Sequence, residues 1–319
     1  MITFLGDVAL IEKDLKSEYR PSNPYIFNFE YVLKDVDFKW TPALNKINLS
    51  SENCEFEKIF GTLPIAVNVV NNHIYDFGEE GFQYTLSKIK DMGIINIMDE
   101  PVFIGDKICI FSYMLLEDNE LFQFNKDKAG SNILKIRSEY PDVRIIVQMH
   151  WGIENCSTET QKQQEIGHWL IDNGVDLVIG HHPHCLQPVE EYKGKLIFYS
   201  LGNALFGNID TPSHYNEEFI PQRTYRFKWQ SWNRKTIAVN YDEDKNKVVS
   251  IDFLFQKNNN LVCKKKNISI KKLMKKGSRF SKFQFMFRKY YLFFVSNFLV
   301  DGKLFDMTAI KHELRGKYE

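Results

Sequence analysis

Three of the eight histidines in this chain of 319 residues stand within four positions, His181-His182-Pro183-His184. Core packing does not ask for such a cluster, whereas imidazoles at that density suit a metal ion or a bound anion. Other residues able to ligate a cation recur singly, each just after a short apolar run. Asp7 follows residues 2–5, Glu30 follows 25–27, Asn72 and His73 follow 65–70, and His150 follows 143–149. Carboxylates, an amide and imidazoles make the mixed O/N donor set required by two divalent ions about 3.5–4 Å apart. Each piece also has a plain structural use. Gly6-Asp7 is a common turn, Asn71-Asn72-His73 suits a loop with local backbone bonds, and His150 beside Trp151-Gly152 suits a satisfied buried histidine. His168, His214 and His312 read as structural or solvated, and Cys185 as a small buried thiol.

These residues are far apart in the chain, so the elements between them must bring them together. Apolar runs at 2–5, 25–27, 65–70, 94–97, 108–111, 143–149, 177–179 and 196–199 read as strands. Residues 81–92 and 160–173 carry apolar side chains at helical spacing and are followed by Gly93 and Gly174. Strands alternating with helices predict an α/β fold with substantial parallel or mixed sheet. Such sheets bind ligands at the carboxyl ends of their strands, where the ligating residues stand. Residues 237–241 and 248–255 read as a hairpin, while 115–132 and 207–234 lack periodicity and read as loops.

Composition bounds the rest. With 44% hydrophobic and 26% charged residues, the chain is neither disordered nor fibrous. Five cysteines without a CxxC pair read as reduced thiols of a cytoplasmic protein. The opening lacks the basic and apolar regions of a secretory signal, and no apolar run reaches the roughly 20 residues of a spanning helix. Forty-one basic residues cancel 41 acidic ones, yet residues 257–289 hold 12 Lys/Arg and no Asp or Glu. The remainder therefore carries 29 basic against 41 acidic residues. An acidic body at 1–256 and a basic, aromatic extension at 257–319 are expected. The basic stretch suits an anionic membrane surface through 257–300. No nucleic-acid partner is expected, because the acidic body opposes a polyanion.

Six segments in fixed order resemble the CapA family of capsule and poly-γ-glutamate synthesis proteins, a branch of the calcineurin-like metallophosphoesterases. They are Phe4-Leu-Gly-Asp-Val8, Asn28-Phe-Glu30, Asn71-Asn-His-Ile-Tyr-Asp-Phe-Gly78, His150-Trp-Gly-Ile-Glu154, Gly180-His-His-Pro-His184 with Gln187-Pro188, and Tyr199-Ser-Leu-Gly-Asn203. The resemblance implies a four-layer α/β/β/α sandwich with a basic C-terminal helical extension and a centre of two divalent ions (Mn, Fe or Zn). It implies Asp7, Glu30, Asn72, His150, His182 and His184 as metal ligands. His73 matches the histidine that protonates or stabilises the leaving oxygen, with Asp76 orienting it. His181 is a further ligand or pocket residue, and Glu154 and Asn203 belong to the pocket wall. Metal-dependent hydrolysis of phosphate mono- or diesters in capsule metabolism is the implied activity. The substrate would be an anionic polymer or a phosphorylated small or lipid-linked molecule, met in the cytoplasm or at the inner membrane surface. A non-hydrolytic assembly factor holding polymer in the same cleft is the rival. One departure stands out: the superfamily opens with Asp-x-His, whereas this chain reads Asp7-Val8-Ala9, and Ala9 cannot ligate.

Overall fold

The computed structural model describes residues 1–274 except 36, 38, 39, 45 and 117–120. The expected extension lies outside these residues from 275 onward. The chain begins with β1 (Ile2–Ala9), β2 (Lys16–Ser17), β3 (Tyr25–Phe29), β4 (Val32–Leu33), β5 (Ser50–Ser51), α1 (Phe56–Phe60), β6 (Ala66–Asn68) and α2 (Gly78–Asp91). It continues through β7 (Ile95–Ile97), β8 (Val102–Ile104), β9 (Ile108–Leu115), α3 (Lys126–Glu139), β10 (Arg144–Trp151), α4 (Gln161–Asp172) and β11 (Leu177–His181). It ends with β12 (Val189–Tyr192), β13 (Lys195–Phe198), β14 (Asn203–Phe206), β15 (Ile209–Tyr215), β16 (Pro221–Phe227), β17 (Lys235–Asp242), β18 (Lys247–Lys257) and β19 (Asn260–Lys265).

Two large mixed sheets result. The first runs β2-β19-β18-β17-β1-β3-β6-β7, with β14 also paired to β1; the second runs β12-β13-β11-β10-β9-β8. β1, β3, β6 and β7 are mutually parallel, as are β9, β10, β11 and β13. Parallel strands buried on both faces read as continuous apolar runs, which is why 143–149 showed no alternation. Their successive side chains still part to opposite sides. Phe4, Ile26, Ile110 and Ile146 enter one cluster shared by both sheets. Leu5 and Phe27 instead join Phe56, Phe60, Phe82 and Ile89 of α1 and α2. Phe111 and Val147 join Ile133, Ile136, Ile166 and Leu170 of α3 and α4. The α/β architecture with mixed sheets is as the sequence predicts, and so is the hairpin at Asp242–Asn246, where β17 and β18 pair antiparallel.

Three expectations change. Residues 207–234 are not a loop: β15 and β16 pair as a hairpin with most positions solvated, and Ile209, Tyr225 and Phe227 turn inward to pack against the core. Residues 115–132 contain the start of α3, whose Asn125 side chain accepts from the backbone N–H of Asp127 and Lys128. The first sheet also runs past residue 256, because β19 pairs with β18 and then with β2. By contrast, α4 starts where its sequence says, in a reciprocal capping box between Thr160 and Gln163.

Candidate metal centre

The residues expected to ligate stand where β1, β3, β10 and β11 end. β1 is paired with β17 over Ile2–Phe4 and with β14 from Asp7 onward, so its neighbour changes at Gly6. A Cβ on Gly6 would lie 1.8 Å from the carbonyl oxygen of Gly202, and the backbone N–H of Asp7 donates to that same oxygen at 2.9 Å. The bare glycine is what lets β14 close against β1 and set Asp7. On β11, a Cβ on Gly180 would lie 2.0 Å from the carbonyl oxygen of Tyr199. Past β11 the chain turns sharply, with His182 at φ 94° and His184 at φ 53°. Left-handed backbone at two non-glycine residues is strain of the kind held at functional sites.

Asp7, Glu30, His150, His181, His182 and His184 are all buried, and they converge. His181 joins Asp7 Oδ1 through Nδ1 at 2.9 Å and Gln148 Oε1 through Nε2 at 2.9 Å, so both its nitrogens are engaged within the protein. Asn28 donates to Asp7 Oδ1 at 3.0 Å and to Glu30 Oε2 at 2.9 Å, holding two carboxylates with one amide. His184 Nδ1 meets Asn203 Oδ1 at 2.9 Å, leaving its Nε2 3.5 Å from Glu30 Oε1. His150 Nε2 meets Asn72 Oδ1 at 2.8 Å. Three overlapping triads have donor atoms within 4.8 Å of one another: Glu30-His150-His182, Asp7-Glu30-His184 and Glu154-His182-His184. Glu154 is exposed at the rim of this group.

The polar atoms that face inward are short of partners. Asp7 Oδ2, Glu30 Oε1, His150 Nδ1 and His182 Nδ1 are buried without a hydrogen bond among the described residues. Each such group costs about 1–3 kcal/mol unless something satisfies it. Four in one place, all with lone pairs, fit a divalent cation.

Electrostatics agree. Burial pushes Glu30 well above the usual carboxylate range; Asp7, Glu154 and Asp76 add repulsion that His184 only partly offsets. Burial works against Asp7 as well, but His181, bonded to Oδ1, and His184, whose Nδ1 lies 3.4 Å from Oδ2, hold it below its ordinary value. Burial drives His150 well down and His182 to about 4, so both are neutral and able to ligate. Burial disfavours the charge on His184 too, yet Glu30 and Asp7 raise it to about 10. The cluster calls for positive charge, and without a cation a proton on His184 supplies part of it.

Beside this centre, His73 Nδ1 meets Asp76 Oδ2 at 2.7 Å. His73, Asn72, Glu154 and His184 line one wall of a cleft of about 200 Å³, and Phe206, Tyr225, Phe227 and Trp229 line the other. The sequence reading gave no role to Asn28, which it named only as part of a motif, and singled out none of Asn68, Gln148 or Lys46. The first three had a signal: each is a lone amide inside an apolar run (Ile26-Phe-Asn-Phe29, Ala66-Val-Asn-Val69, Ile146-Val-Gln-Met149). A buried amide needs partners, and Asn28 and Gln148 find theirs in this centre, while Asn68 donates to Asn28 Oδ1 at 3.1 Å.

Residues 112–208 match the sequence model of a family described as bacterial capsule synthesis protein PGA_cap. The chain is 25% identical over 243 residues to the capsule biosynthesis protein CapA of Bacillus anthracis, covering 64% of this chain and 59% of that protein. It is 28% identical over 211 residues to the PGA biosynthesis protein CapA of Bacillus subtilis (strain 168), covering 59% and 54%. A probable polyglutamine synthesis accessory protein of Mycobacterium tuberculosis is 26% identical over 171 residues, 44% of this chain and 45% of that protein. The chain thus spans little more than half the length of the first two relatives. The resemblance to the CapA family read from the motifs is borne out. The family match contains the segments from His150 to Asn203; those at 4–8, 28–30 and 71–78 lie before it.

Proposed function

We propose that this centre is a divalent-metal-dependent phosphoesterase serving capsule or surface-polymer synthesis, poly-γ-glutamate included, a reading supported by the match of residues 112–208 to the bacterial capsule synthesis family PGA_cap. The observation that carries the reading is the convergence of four buried lone-pair atoms on Asp7, Glu30, His150 and His182 that have no hydrogen bond among the described residues. The three apolar clusters, one between the sheets and one beneath each helix pair, suit the α/β/β/α layering of a metallophosphoesterase. Asp7, Glu30, His150, His182 and His184 would hold two ions (Mn, Fe or Zn), with Asn72 beside His150 and Glu154 at the rim. Bound there, the ions supply Lewis-acid charge on phosphoryl oxygens and a water deprotonated near neutral pH.

The protein's own side chains do the rest. Asn28 and His181 fix the carboxylates, and Asn203 fixes the tautomer of His184. Asp76 accepts from His73 Nδ1 and would stabilise the doubly protonated ring, which would give its Nε2 proton to the leaving oxygen as the P–O bond breaks and remain as the neutral Nδ1–H form. The cleft is small against the roughly 300–1,000 Å³ of typical ligand sites. It therefore suits the end group of an anionic polymer or a phosphorylated small or lipid-linked molecule. A place at the cytoplasmic membrane surface, through the basic residues 257–300, would suit lipid-linked substrates. No described helix is long and apolar enough to cross a membrane.

The test is turnover of alkyl phosphate mono- and diesters by wild type and His73→Ala after loading with Mn²⁺, Fe²⁺ or Zn²⁺. Wild type should turn over, and the variant should lose about 10²–10⁴-fold in kcat while keeping its metal. Two proteins that bind metal and are equally inert would replace the hydrolase with the polymer-holding role.

A further inference from the structure

We propose that Lys46 is a positioning residue for His73, acting through Asp76. The proposal rests on the phosphoesterase reading above and adds to it a residue that no motif contains. Lys46 lies in the segment between β4 and β5, and its Nζ makes two contacts: Asp76 Oδ1 at 2.5 Å and the backbone oxygen of Asn72 at 2.7 Å. One ammonium thus ties both ends of the turn that carries His73. Inside the turn, the backbone N–H of His73 donates to Asn71 Oδ1 at 3.0 Å.

Asp76 is the pivot. Its side chain is completely buried, and Oδ2 accepts from the backbone N–H of Leu49 at 2.6 Å while meeting His73 Nδ1 at 2.7 Å. A carboxylate with such surroundings is costly unless a cation pairs with it, and Lys46 is that cation. The lysine is itself braced from outside: the N–H of His214 donates to its backbone oxygen at 3.3 Å, and Leu44 and Ile47 bridge to Tyr215 and Ser213 of β15. The hairpin therefore holds the Lys46 segment, that segment holds Asp76, and Asp76 sets the ring of His73.

A merely structural lysine, or one that binds the substrate anion, gives a different kinetic pattern. A proton-delivering His73 matters most when the leaving group is poor, because an alkoxide must be protonated and p-nitrophenolate need not be. In metal-loaded enzyme, Lys46→Met should lower kcat for an alkyl phosphate at least tenfold more than for p-nitrophenyl phosphate. His73→Ala should share that pattern, and Lys46→Arg should restore the alkyl ester. In the metal-free protein, the His73 Nδ1–H should give a protected resonance in ¹⁵N–¹H spectra of wild type and Lys46→Arg, lost in Lys46→Met. A Lys46→Met enzyme that loses both esters equally, or only gains KM, overturns the inference and leaves the phosphoesterase reading standing. Wild type inert on both esters overturns that reading instead, and the ring resonance then decides whether Lys46 fixes His73. A Lys46→Met protein that keeps the resonance refutes the positioning role even if it is unstable.

Discussion

Glu30→Gln separates a metal centre from an ordinary buried polar cluster, because it should move stability in opposite directions with and without metal. Glu30 belongs to two of the three candidate ligand triads, so on the metal reading both ions would depend on it. In the metal-free protein the only hydrogen bond to its carboxyl among the described residues is from Asn28 to Oε2, a bond that an amide oxygen accepts as well. The other oxygen, Oε1, is buried without a hydrogen bond and stands among carboxylates that raise its proton affinity. An amide cannot become an anion facing Asp7, which relieves on the order of 1–3 kcal/mol of buried-charge cost, and it keeps the bond from Asn28. Losing the counter-charge of His184 offsets part of this gain, so metal-free Glu30→Gln should unfold no earlier than wild type. With free metal at 100 times its Kd, each filled site adds about 2.7 kcal/mol to wild type. At roughly 2–4 °C per kcal/mol for a chain of this size, one site is worth about 5–10 °C in Tm. Thermal unfolding in chelator and in Mn²⁺ or Zn²⁺ reads both terms. A variant that unfolds earlier in chelator yet keeps the full metal-induced rise would refute the assignment of Glu30 and the reading of its partnerless oxygen.

Two further outcomes test the frame around the site. Gly180→Ala would place a Cβ 2.0 Å from the Tyr199 carbonyl and 2.6 Å from Trp151 Nε1, and would also break the 2.9 Å bond between them. Overpacking of about 1–3 kcal/mol plus about 1 kcal/mol for the bond should lower Tm by roughly 5–15 °C, seen by calorimetry, and abolish metal binding with it. Asp176 tests the ionic frame. Burial opposes its charge, but Lys195 at 2.5 Å, Asn246 at 2.8 Å and the N–H of Ile145 at 3.0 Å outweigh that and hold its pKa below the ordinary value. A lowered pKa contributes stability above the unfolded value near 4, lost as pH falls through the folded one. Asp176→Asn should therefore cost about 2 kcal/mol in urea titrations at pH 7 and close to nothing at pH 2. A cost that is equal at both pH values would show that the charge is not what matters.

How much of this was legible depends on whether an element carries its own pattern. β10 and β11 announced themselves as unbroken apolar runs, and α4 by a cap that its neighbours complete locally. α3 buries Ala129, Ile133 and Ile136 at helical spacing, but Gly130-Ser131-Asn132 between them mimics a turn. β15 and β16 touch solvent on most positions and include Pro212 and Pro221, so the short alternation at Tyr225-Arg-Phe227 is too little to mark a hairpin. In the site, charged and imidazole residues at strand ends were readable because so few structural roles need them there. Lys46 was not, since a lysine in an irregular stretch is ordinarily a solvated one, and only the fold shows that its ammonium meets Asp76.

Ala9 then takes on a physical meaning that the sequence withheld. It is fully buried and pairs with Phe206 where β14 closes on β1, so position 9 is packed as core beyond Asp7. His181 does not replace the missing imidazole, because Asp7 and Gln148 engage both its nitrogens. What stands close to His182 and His184 instead is the carboxylate of Glu154. Trading an imidazole for a carboxylate makes a harder and more anionic donor set, which moves preference away from zinc and toward manganese. On the phosphoesterase reading, the departure at position 9 thus bears on which ion the centre holds rather than on whether it holds one.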